Sequence, residues 1–565
     1  MAERVKEKVE FFRKHPLLTA AGTALVLRGI FVLFFLSSPF RFYHCIPGLD
    51  METLLRFGEW GTPGNPFFFT LHRLQVFLFW KLNNGTHPVL LHVLWQSLLG
   101  AAGSLLLADI MLKITGKRYL ALCAGLLWAL NPVELMYEFT TLQDSLVNLG
   151  IIFSFRSFLA ARKHHFRLLY ALGAGAAAGL AATGRPVALG MTFVLGLWCL
   201  LYLRHRKLPL SRIFAFSGGI LLVWLSFSAV NYVNNKTFSC FFNPVRYTVS
   251  INTTQASAPA AAPERASKFP LPQLFRTAVK MASRIPGLWD PVEIPENLNI
   301  YFLQKKIPFF RIPFEFLPLC AAAGILALFF TGRWKKKEGL PLLVIFSLAF
   351  FLCIREPIGR YRLLLLPWFV LITVWFFSFC CTRNKALLIF AVLFGLTAAR
   401  SFLTAPPLRA ADFSAWGWAL EKEAGKITPE VLKHFSAAYA LKPETNNAVA
   451  LITRAMKTDD RVLAEKTALH WVSVSNNAPL ARYYAALTVF PDFSRMKNYL
   501  ENIPEKELPL RLRFRSHLML GDANMRLRNP GEALRNYQSA LRLPEGTPGQ
   551  RRHAENMIKL LEVKK

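Results

Sequence analysis

Residues 17–37 read LLTAAGTALVLRGIFVLFFLS, and this apolar run begins just after a basic stretch at residues 1–16. A helix needs ~20 mostly apolar residues to cross a bilayer, so the run is long enough to be a membrane span. Further apolar runs follow at residues 88–112, 119–133, 140–160, 168–184, 186–203, 213–233, 314–332, 340–354, 363–380 and 386–403. The sequence therefore predicts an all-α, polytopic membrane protein with about 11 transmembrane helices.

The charges between these runs predict the orientation of the chain. Loops on the cytoplasmic side of membrane proteins are enriched in Lys and Arg. If residues 1–16 are cytoplasmic, every loop that returns to the same side is basic, as at residues 204–212 and 333–337. An odd number of spans then divides the protein into a basic cytoplasmic N-terminus (1–16), a membrane domain (17–403) and a soluble domain on the outer side (404–565).

The overall composition supports this division. Hydrophobic residues make up 53% of the chain and aromatic residues 13%, which is high for a protein with a long soluble end. The formal net charge of +33 could indicate a nucleic-acid partner. Of 67 Lys and Arg and 34 Asp and Glu, residues 404–565 hold 25 and 17, which leaves 42 and 17 for residues 1–403. Because the topology of the inner loops explains much of that excess, we predict no nucleic-acid partner.

Two outer loops are longer than a simple connection requires. Residues 38–87 contain a predicted short helix from Met51 to Trp60 and an apolar, partly basic stretch at 67–81 that is typical of the bilayer interface. Residues 234–313 form the second loop, and long loops of this kind are usually lids or linkers. Cys45 and Cys240 fall in these two loops and could form a disulfide in an oxidising compartment, or share the outer side by coincidence.

A short outer loop departs from the charge rule. It reads Arg355-Glu356-Pro357-Ile358-Gly359-Arg360-Tyr361-Arg362, just before an apolar run. Arginine suits bidentate contacts with phosphate, so Arg360 and Arg362, with Tyr361 between them, are candidate ligand-binding residues. The alternative is that these arginines only reach toward lipid headgroups. Arg185, in Thr183-Gly184-Arg185-Pro186, could join this phosphate clamp or could be a simple turn residue.

Acidic residues supply the candidates for acid–base chemistry. Asp50 lies on the outer side in Gly48-Leu49-Asp50-Met51-Glu52 and is a candidate general base, although Asp is also a good N-cap for a helix from Met51. Glu52 is a second candidate on a different helical face. Asp144 enters the fourth span near its outer end, and an acid inside a membrane segment is a functional candidate.

Two basic residues of the interfacial stretch complete the candidate site. His72 and Arg73 could contact substrate there, or form only the polar side of an interfacial helix.

The order of these motifs resembles a family of enzymes. Gly48-Leu49-Asp50, Thr183-Gly184-Arg185-Pro186 and Gly359-Arg360-Tyr361-Arg362-Leu363-Leu364-Leu365-Leu366-Pro367 are similar to the protein O-mannosyltransferase and aminoarabinose transferase superfamily. Those are glycosyltransferases of the GT-C fold, family 39-like. The resemblance implies an inverting enzyme that uses a polyprenyl-phosphate sugar, with Asp50 as base.

This chain also departs from the family pattern. Members often carry a second acid where Met51 stands, and a Pro-Leu-Tyr-Pro-like element where this chain has Leu71-His72-Arg73-Leu74. We therefore assign no metal ligands and leave a divalent metal open.

The soluble end carries a second pattern. Its positions match the tetratricopeptide spacing and predict two helices, Arg515 to Leu527 and Pro530 to Leu543, with degenerate copies near 431–443 and 481–490. The matching residues are Leu520, Gly521, Asn524, Ala533, Tyr537 and Ala540. Stacked repeats would offer a concave face to a protein partner, whereas a generic helical hairpin is the alternative. A trailing domain of this type resembles a bacterial arrangement within the superfamily, which implies the inner membrane with the C-terminal domain in the periplasm.

The predicted function is therefore transfer of a sugar from a polyprenyl-phosphate donor to a protein or lipid acceptor on the outer face, among membrane lipids. The rival class is a flippase for lipid-linked glycans or a scaffold for protein partners. A transporter should carry polar residues inside several spans, or broken helices. We expect the charges of this chain at span ends instead. A GT-C enzyme that transfers a whole oligosaccharide is a further alternative.

Overall fold

The computed structural model describes residues 14–46, 49, 51, 75, 78–79, 81–82, 88–185, 187–235, 271–290, 293, 295, 298–312, 314–355, 359–381, 408–476, 478–501 and 503–563. Across these residues the protein is 83% helix and has no strand, which confirms the predicted all-α class. The chain divides into two compact units, one of residues 1–247 with 264–408 and one of residues 248–263 with 409–565.

The first unit contains fourteen α-helices whose two ends both lie in its described residues. They are α1 (Pro16–Leu36), α2 (Pro88–Thr115), α3 (Arg118–Ala129), α4 (Pro132–Glu138), α5 (Asp144–Lys163), α6 (Leu168–Gly184), α7 (Ala188–His205), α8 (Ser211–Asn235), α9 (Leu271–Trp289), α10 (Ile300–Lys306), α11 (Phe316–Phe330), α12 (Leu340–Arg355), α13 (Gly359–Arg362) and α14 (Leu366–Cys381). Helices α9 and α10 lie within the loop at 234–313, for which the sequence predicted only a lid or linker.

Seven helical stretches of the described residues are long and apolar enough to cross a membrane, or up to eight if the bent pair α3–α4 is one span. Helices α6 and α12 are apolar but have only 17 and 16 residues. The last predicted run, 386–403, lies outside the described residues. These helices are compatible with a multi-pass membrane protein, while the predicted number of about 11 spans stays a prediction.

The predicted run at residues 119–133 is broken in the structure. Helix α3 ends at Ala129, and α4 restarts at Pro132 with a bend of 52°. Asn131 caps the new helix, because its Oδ1 accepts hydrogen bonds from the amides of Val133 at 3.0 Å and Glu134 at 3.2 Å. The first residue of a helix needs no amide hydrogen, so Pro132 is well suited to this position. Asn131 and Pro132 therefore start a new helix inside a run for which hydropathy predicts one continuous helix.

Buried charges hold α4 in place. Glu138 forms an ion pair with Arg28 in the interior of α1, and the Glu134 carboxylate accepts a hydrogen bond from Asn148 Nδ2 at 2.9 Å. All four side chains are essentially inaccessible to solvent. The expectation that the charges of this domain sit at span ends is therefore wrong: the broken helix brings two carboxylates into the interior, where they need partners.

Small residues allow α6 to approach its neighbours closely. A Cβ atom on Gly175 would lie 1.8 Å from the carbonyl oxygen of Phe216 on α8, and one on Gly219 would lie 2.1 Å from that of Leu172. The two backbones therefore touch, as is typical of packed membrane helices. This contact and the packing of α6 on α5 determine where Arg185, the residue that follows α6, is placed.

The second unit contains nine helices in its described residues. They are α15 (Ala410–Ala424), α16 (Pro429–Leu441), α17 (Thr445–Lys457), α18 (Arg461–Val474), α19 (Pro479–Thr488), α20 (Phe493–Leu500), α21 (Leu510–Arg526), α22 (Pro530–Leu541) and α23 (Pro548–Val563). Each helix packs against the next in sequence. Such a chain of neighbour contacts is compatible with a helical-repeat domain, which remains a prediction.

The motif residues of the predicted repeat meet between α21 and α22. Tyr537 is fully buried, and a Cβ on Gly521 would lie 2.5 Å from its ring. The Tyr537 hydroxyl donates a hydrogen bond to Asp522 Oδ1 at 2.7 Å. The glycine of the motif therefore makes room for the tyrosine of the next helix.

Candidate functional site

Asp144 and Arg185 form a buried ion pair where α5 begins and α6 ends. Arg185 Nη2 donates to Asp144 Oδ1, and the two residues are 4% and 0% exposed. The guanidinium carbon of Arg185 also lies 4.8 Å from the centre of the Tyr361 ring, within the range of a cation–π contact. Three of the candidate residues, from three separate motifs, are thus in direct contact.

The local sequence explains how these side chains are presented. Arg185 has an extended backbone, with φ −154° and ψ 136°. A residue before proline is disfavoured in a helix, so Thr183-Gly184-Arg185-Pro186 ends α6 and turns the arginine away from the helix axis. Asp144 lies in the first turn of α5, where a negative charge is favoured by the exposed amides of the helix start.

Arg362 lies next to Tyr361 on α13 and has two partners that the sequence did not predict. Its Nη2 donates to the carbonyl oxygen of Asp290 at 2.5 Å and lies 3.9 Å from Glu293 Oε2. Asp290 directly follows α9, and Trp289 at the end of that helix packs on Phe369 with 5.1 Å between ring centres. The segment that follows α9 therefore carries both groups, Asp290 and Glu293, that contact Arg362.

Glu293 is itself held firmly. Its amide donates a hydrogen bond to the Tyr301 hydroxyl on α10 at 2.9 Å, and the residue is 5% exposed. Burial raises the pKa of the Glu293 carboxyl to about 7, against the opposing effect of the nearby Arg362 guanidinium. Burial also raises the pKa of Tyr301, so the tyrosine stays neutral.

We call Asp144, Arg185, Glu293, Tyr361 and Arg362 the arginine cluster. The sequence predicted an excess of positive charge here, offset only by Glu356. In the structure Arg185 faces Asp144 and Arg362 faces Glu293, so the two guanidiniums are balanced by two carboxylates. The physical reason is that a buried charge without a partner is costly.

Met51, the residue that follows Asp50, is described in the structure and has a contact with the connection between α4 and α5. Thr141 Oγ1 donates a hydrogen bond to the carbonyl oxygen of Met51 at 3.2 Å. Gln96 Nε2 donates to the carbonyl oxygens of Thr140 and Leu142 at 2.9 and 2.6 Å. Gln96 on α2 therefore holds the connection from α4 to α5 in place. Thr141 in this connection contacts Met51, the residue after Asp50, and lies three residues before Asp144.

Several candidates lie outside what the structure describes. They are Asp50, Glu52, His72, Arg73, Cys240 and the side chain of Arg360. Among the described residues no group of three or more His, Cys, Asp or Glu could hold a metal ion. The open divalent metal, any pairing of Cys45 with Cys240 and the roles of these side chains stay predictions.

Sequence reasoning missed two groups of buried charges. Glu134 and Glu138 could have been found, because Asn131-Pro132 is a helix-start signal and two acids four residues apart share one helical face. Glu293 had no comparable signal. It lies in the long loop at 234–313, far in sequence from Arg362.

No protein-family model, no curated protein and no solved structure matches this chain. The likeness to GT-C glycosyltransferases therefore rests on the sequence motifs.

Proposed function

We propose that the protein is a membrane glycosyltransferase that moves a sugar from a polyprenyl-phosphate donor to a protein or lipid acceptor on the outer face of the membrane. The observation that carries the proposal is the arginine cluster, in which Arg185 contacts the ring of Tyr361, the neighbour of Arg362 in the chain, and all three residues are buried. Arginine side chains suit the phosphate of a lipid carrier, because the guanidinium group can donate two hydrogen bonds to one phosphate.

The proposed reaction is a single displacement at the anomeric carbon. Asp50 takes the proton of the acceptor hydroxyl, the acceptor oxygen bonds to the anomeric carbon, and the bond from that carbon to the phosphate oxygen breaks with inversion. The electron pair leaves with the lipid phosphate, whose negative charge Arg360 and Arg362 stabilise, with Arg185 beside them. One carboxylate suffices, because a phosphate leaving group needs no general acid.

The bracing around Met51 supports this assignment of roles. The hydrogen bond from Thr141 to Met51 ties the chain next to Asp50 to the same connection that leads into Asp144. A base and an anion site that act on one substrate must be held in fixed relation, and these contacts link their neighbourhoods.

The experiment that tests the proposal is transfer of a labelled sugar. Membranes that contain the wild-type protein or Asp50→Asn are incubated with polyprenyl-phosphate sugars, and the label is followed into protein and lipid fractions. We expect transfer from at least one donor by the wild type and none by the variant. Transfer that is equal in both would remove Asp50 from the mechanism, and no transfer from any donor would refute the enzyme.

A second candidate is a flippase for lipid-linked glycans. The observation that favours it is the break between α3 and α4 beside the buried charges of Arg28, Glu134 and Glu138, since broken helices and buried charges are typical of transporters. In reconstituted vesicles a flippase would move a fluorescent lipid-linked sugar between leaflets, and Asp50→Asn would leave that movement unchanged.

A further inference from the structure

Glu293 is the unexplained member of the arginine cluster. Its carboxylate faces Arg362, which the proposed function assigns to an incoming phosphate, and both side chains are almost fully buried. A negative charge so close to an anion site weakens anion binding. Arg362 also donates a hydrogen bond to the backbone carbonyl oxygen of Asp290, and a backbone carbonyl group is uncharged. A partner that only held Arg362 in place would therefore not need the negative charge of Glu293.

We propose that Glu293 is a selectivity counter-ion, which weakens the binding of the released lipid phosphate more than that of the sugar donor. This inference rests on the proposed function, because it concerns the two phosphates of that reaction. It adds a residue from the loop at 234–313 that neither motif nor resemblance identifies.

The difference between donor and product follows from their charges. In the donor the phosphate is a diester with one negative charge. After the sugar leaves, the lipid phosphate is a monoester, which carries close to two negative charges at neutral pH. The Coulomb energy between Glu293 and the ligand scales with the charge of the ligand, so repulsion of the product is about twice that of the donor. Glu293 would therefore favour release of the product.

The geometry also fixes the backbone at Glu293 close to Arg362. The Glu293 amide donates to Tyr301 on α10, and Asp290, only a few residues earlier, accepts from Arg362 itself. Among the described residues, the charged group that acts on the Glu293 carboxylate is the Arg362 guanidinium from α13. The Tyr301 hydroxyl from α10 contacts the Glu293 amide and is also close enough to Glu315 to feel its charge. A phosphate held by Arg362 would therefore lie near the Glu293 carboxylate, whose effect on it would be electrostatic.

The test measures two probes with the purified full-length protein. Farnesyl phosphate represents the monoester product, and farnesyl methyl phosphate represents the diester donor. The variant Glu293→Gln keeps the size of the side chain and removes the charge. At pH 8.5, where Glu293 is ionised, we expect it to bind the monoester about 10-fold and the diester about 3-fold more tightly than the wild type, since the repulsion scales with charge.

Two matched variants control the comparison. Glu293→Asp keeps the charge and should keep the selectivity of the wild type. Glu338→Gln removes an acid that pairs with Arg333 at 3.5 Å, away from the cluster, and should change neither affinity. Equal tightening for both probes, no tightening, or no binding by wild type and Glu293→Gln alike would overturn the inference.

A measurement on the wild type keeps the inference testable if Glu293→Gln does not fold. The diester has a constant charge near neutrality, so its affinity should fall as the pH rises through about 7, where Glu293 ionises. A constant diester affinity across that range would contradict the role of Glu293.

The outcomes also separate this inference from the proposed function. Changed selectivity without sugar transfer from any donor would leave the counter-ion in place and refute the enzyme. Sugar transfer with unchanged selectivity would support the enzyme and refute the role of Glu293 as a counter-ion.

Discussion

Arg185 and Asp144 are 41 residues apart in the sequence and form a buried ion pair. The pair joins the end of α6 to the start of α5. The ring of Tyr361, on α13, covers the guanidinium of Arg185. Three parts of the chain are therefore held together by one arginine. Because each charge of the pair is removed from water, neither can be changed alone without leaving the other unbalanced.

Replacing one partner of this pair should destabilise the protein strongly. Asp144→Asn leaves a buried guanidinium without a counter-charge, at a cost of about 3–5 kcal/mol in the free energy of unfolding. Asp144→Leu or Arg185→Met alone should be similarly costly, whereas the double variant that combines them removes both charges and should recover most of that loss. Unfolding in detergent measures both, with Glu338→Gln as the partly exposed control, expected to change stability by only ~0–1 kcal/mol. Additive effects of the two substitutions would contradict the coupling.

Substitutions of Asp50 separate a catalytic base from a helix cap. Asn caps a helix as well as Asp does but cannot take a proton at neutral pH, so Asp50→Asn should keep normal expression and lose transfer. Asp50→Ala should lose stability as well, by ~1 kcal/mol, if the cap also matters. Initial transfer rates, normalised to folded protein, provide the measurement. Normal transfer by Asp50→Asn would show that the side chain has no catalytic role.

Exchange of arginine for lysine tests the phosphate clamp. Arg360→Lys and Arg362→Lys keep the charge but lose the two-pronged contact, so donor affinity or turnover should fall by about tenfold or more at either position. Arg355→Lys is the matched control from the same loop and should be tolerated. Transfer rates against donor concentration reveal the effect. If lysine serves equally well at both positions, neither arginine grips the phosphate of the donor.

The pH dependence of stability should report on Glu293. Burial raises the pKa of its carboxyl in the folded protein from the usual 4.5 to about 7, and Arg362 opposes that rise. The folded state therefore binds the proton more tightly than the unfolded state, so this contribution to stability is complete below pH 4.5 and declines as the pH rises to about 7. Unfolding temperatures of the wild type, relative to Glu293→Gln, should fall across that interval. A constant difference between the two proteins would exclude the raised pKa.

The predicted orientation can be tested with reporter fusions. A fusion after Ala405 should report the outer side, and a fusion after Lys336 should report the cytoplasm, because the loop at 333–337 is basic and residues 404–565 follow an odd number of spans. Reports from the same side would refute the orientation on which the roles of Asp50 and Arg362 depend.

Much of the helical architecture could be predicted from hydropathy. The runs at 17–37 and 168–184 correspond to α1 and α6 within one residue at each end, since long apolar stretches have few other ways to satisfy their backbone. The run at 119–133 could not be predicted as one helix, because Asn131 and Pro132 start a new helix inside it. The Asn131-Pro132 pair is a helix-start signal in the sequence, but the apolar residues around it favour one continuous helix.

For the candidate site, the sequence identified most of the residues but not the contacts between them. Asp144, Arg185, Tyr361 and Arg362 were identified from their own motifs, because charges near span ends are unusual wherever the rest of the protein lies. Their contacts were not predictable. The pairing of Arg185 with Asp144 depends on how α5 and α6 pack, and the pairing of Arg362 with Glu293 depends on where α9 and α10 fold. The sequence alone determined which side chains carry charge in an apolar setting, whereas tertiary structure decided which charges balance one another, because ion pairing acts over a few ångströms in space and over any distance in sequence.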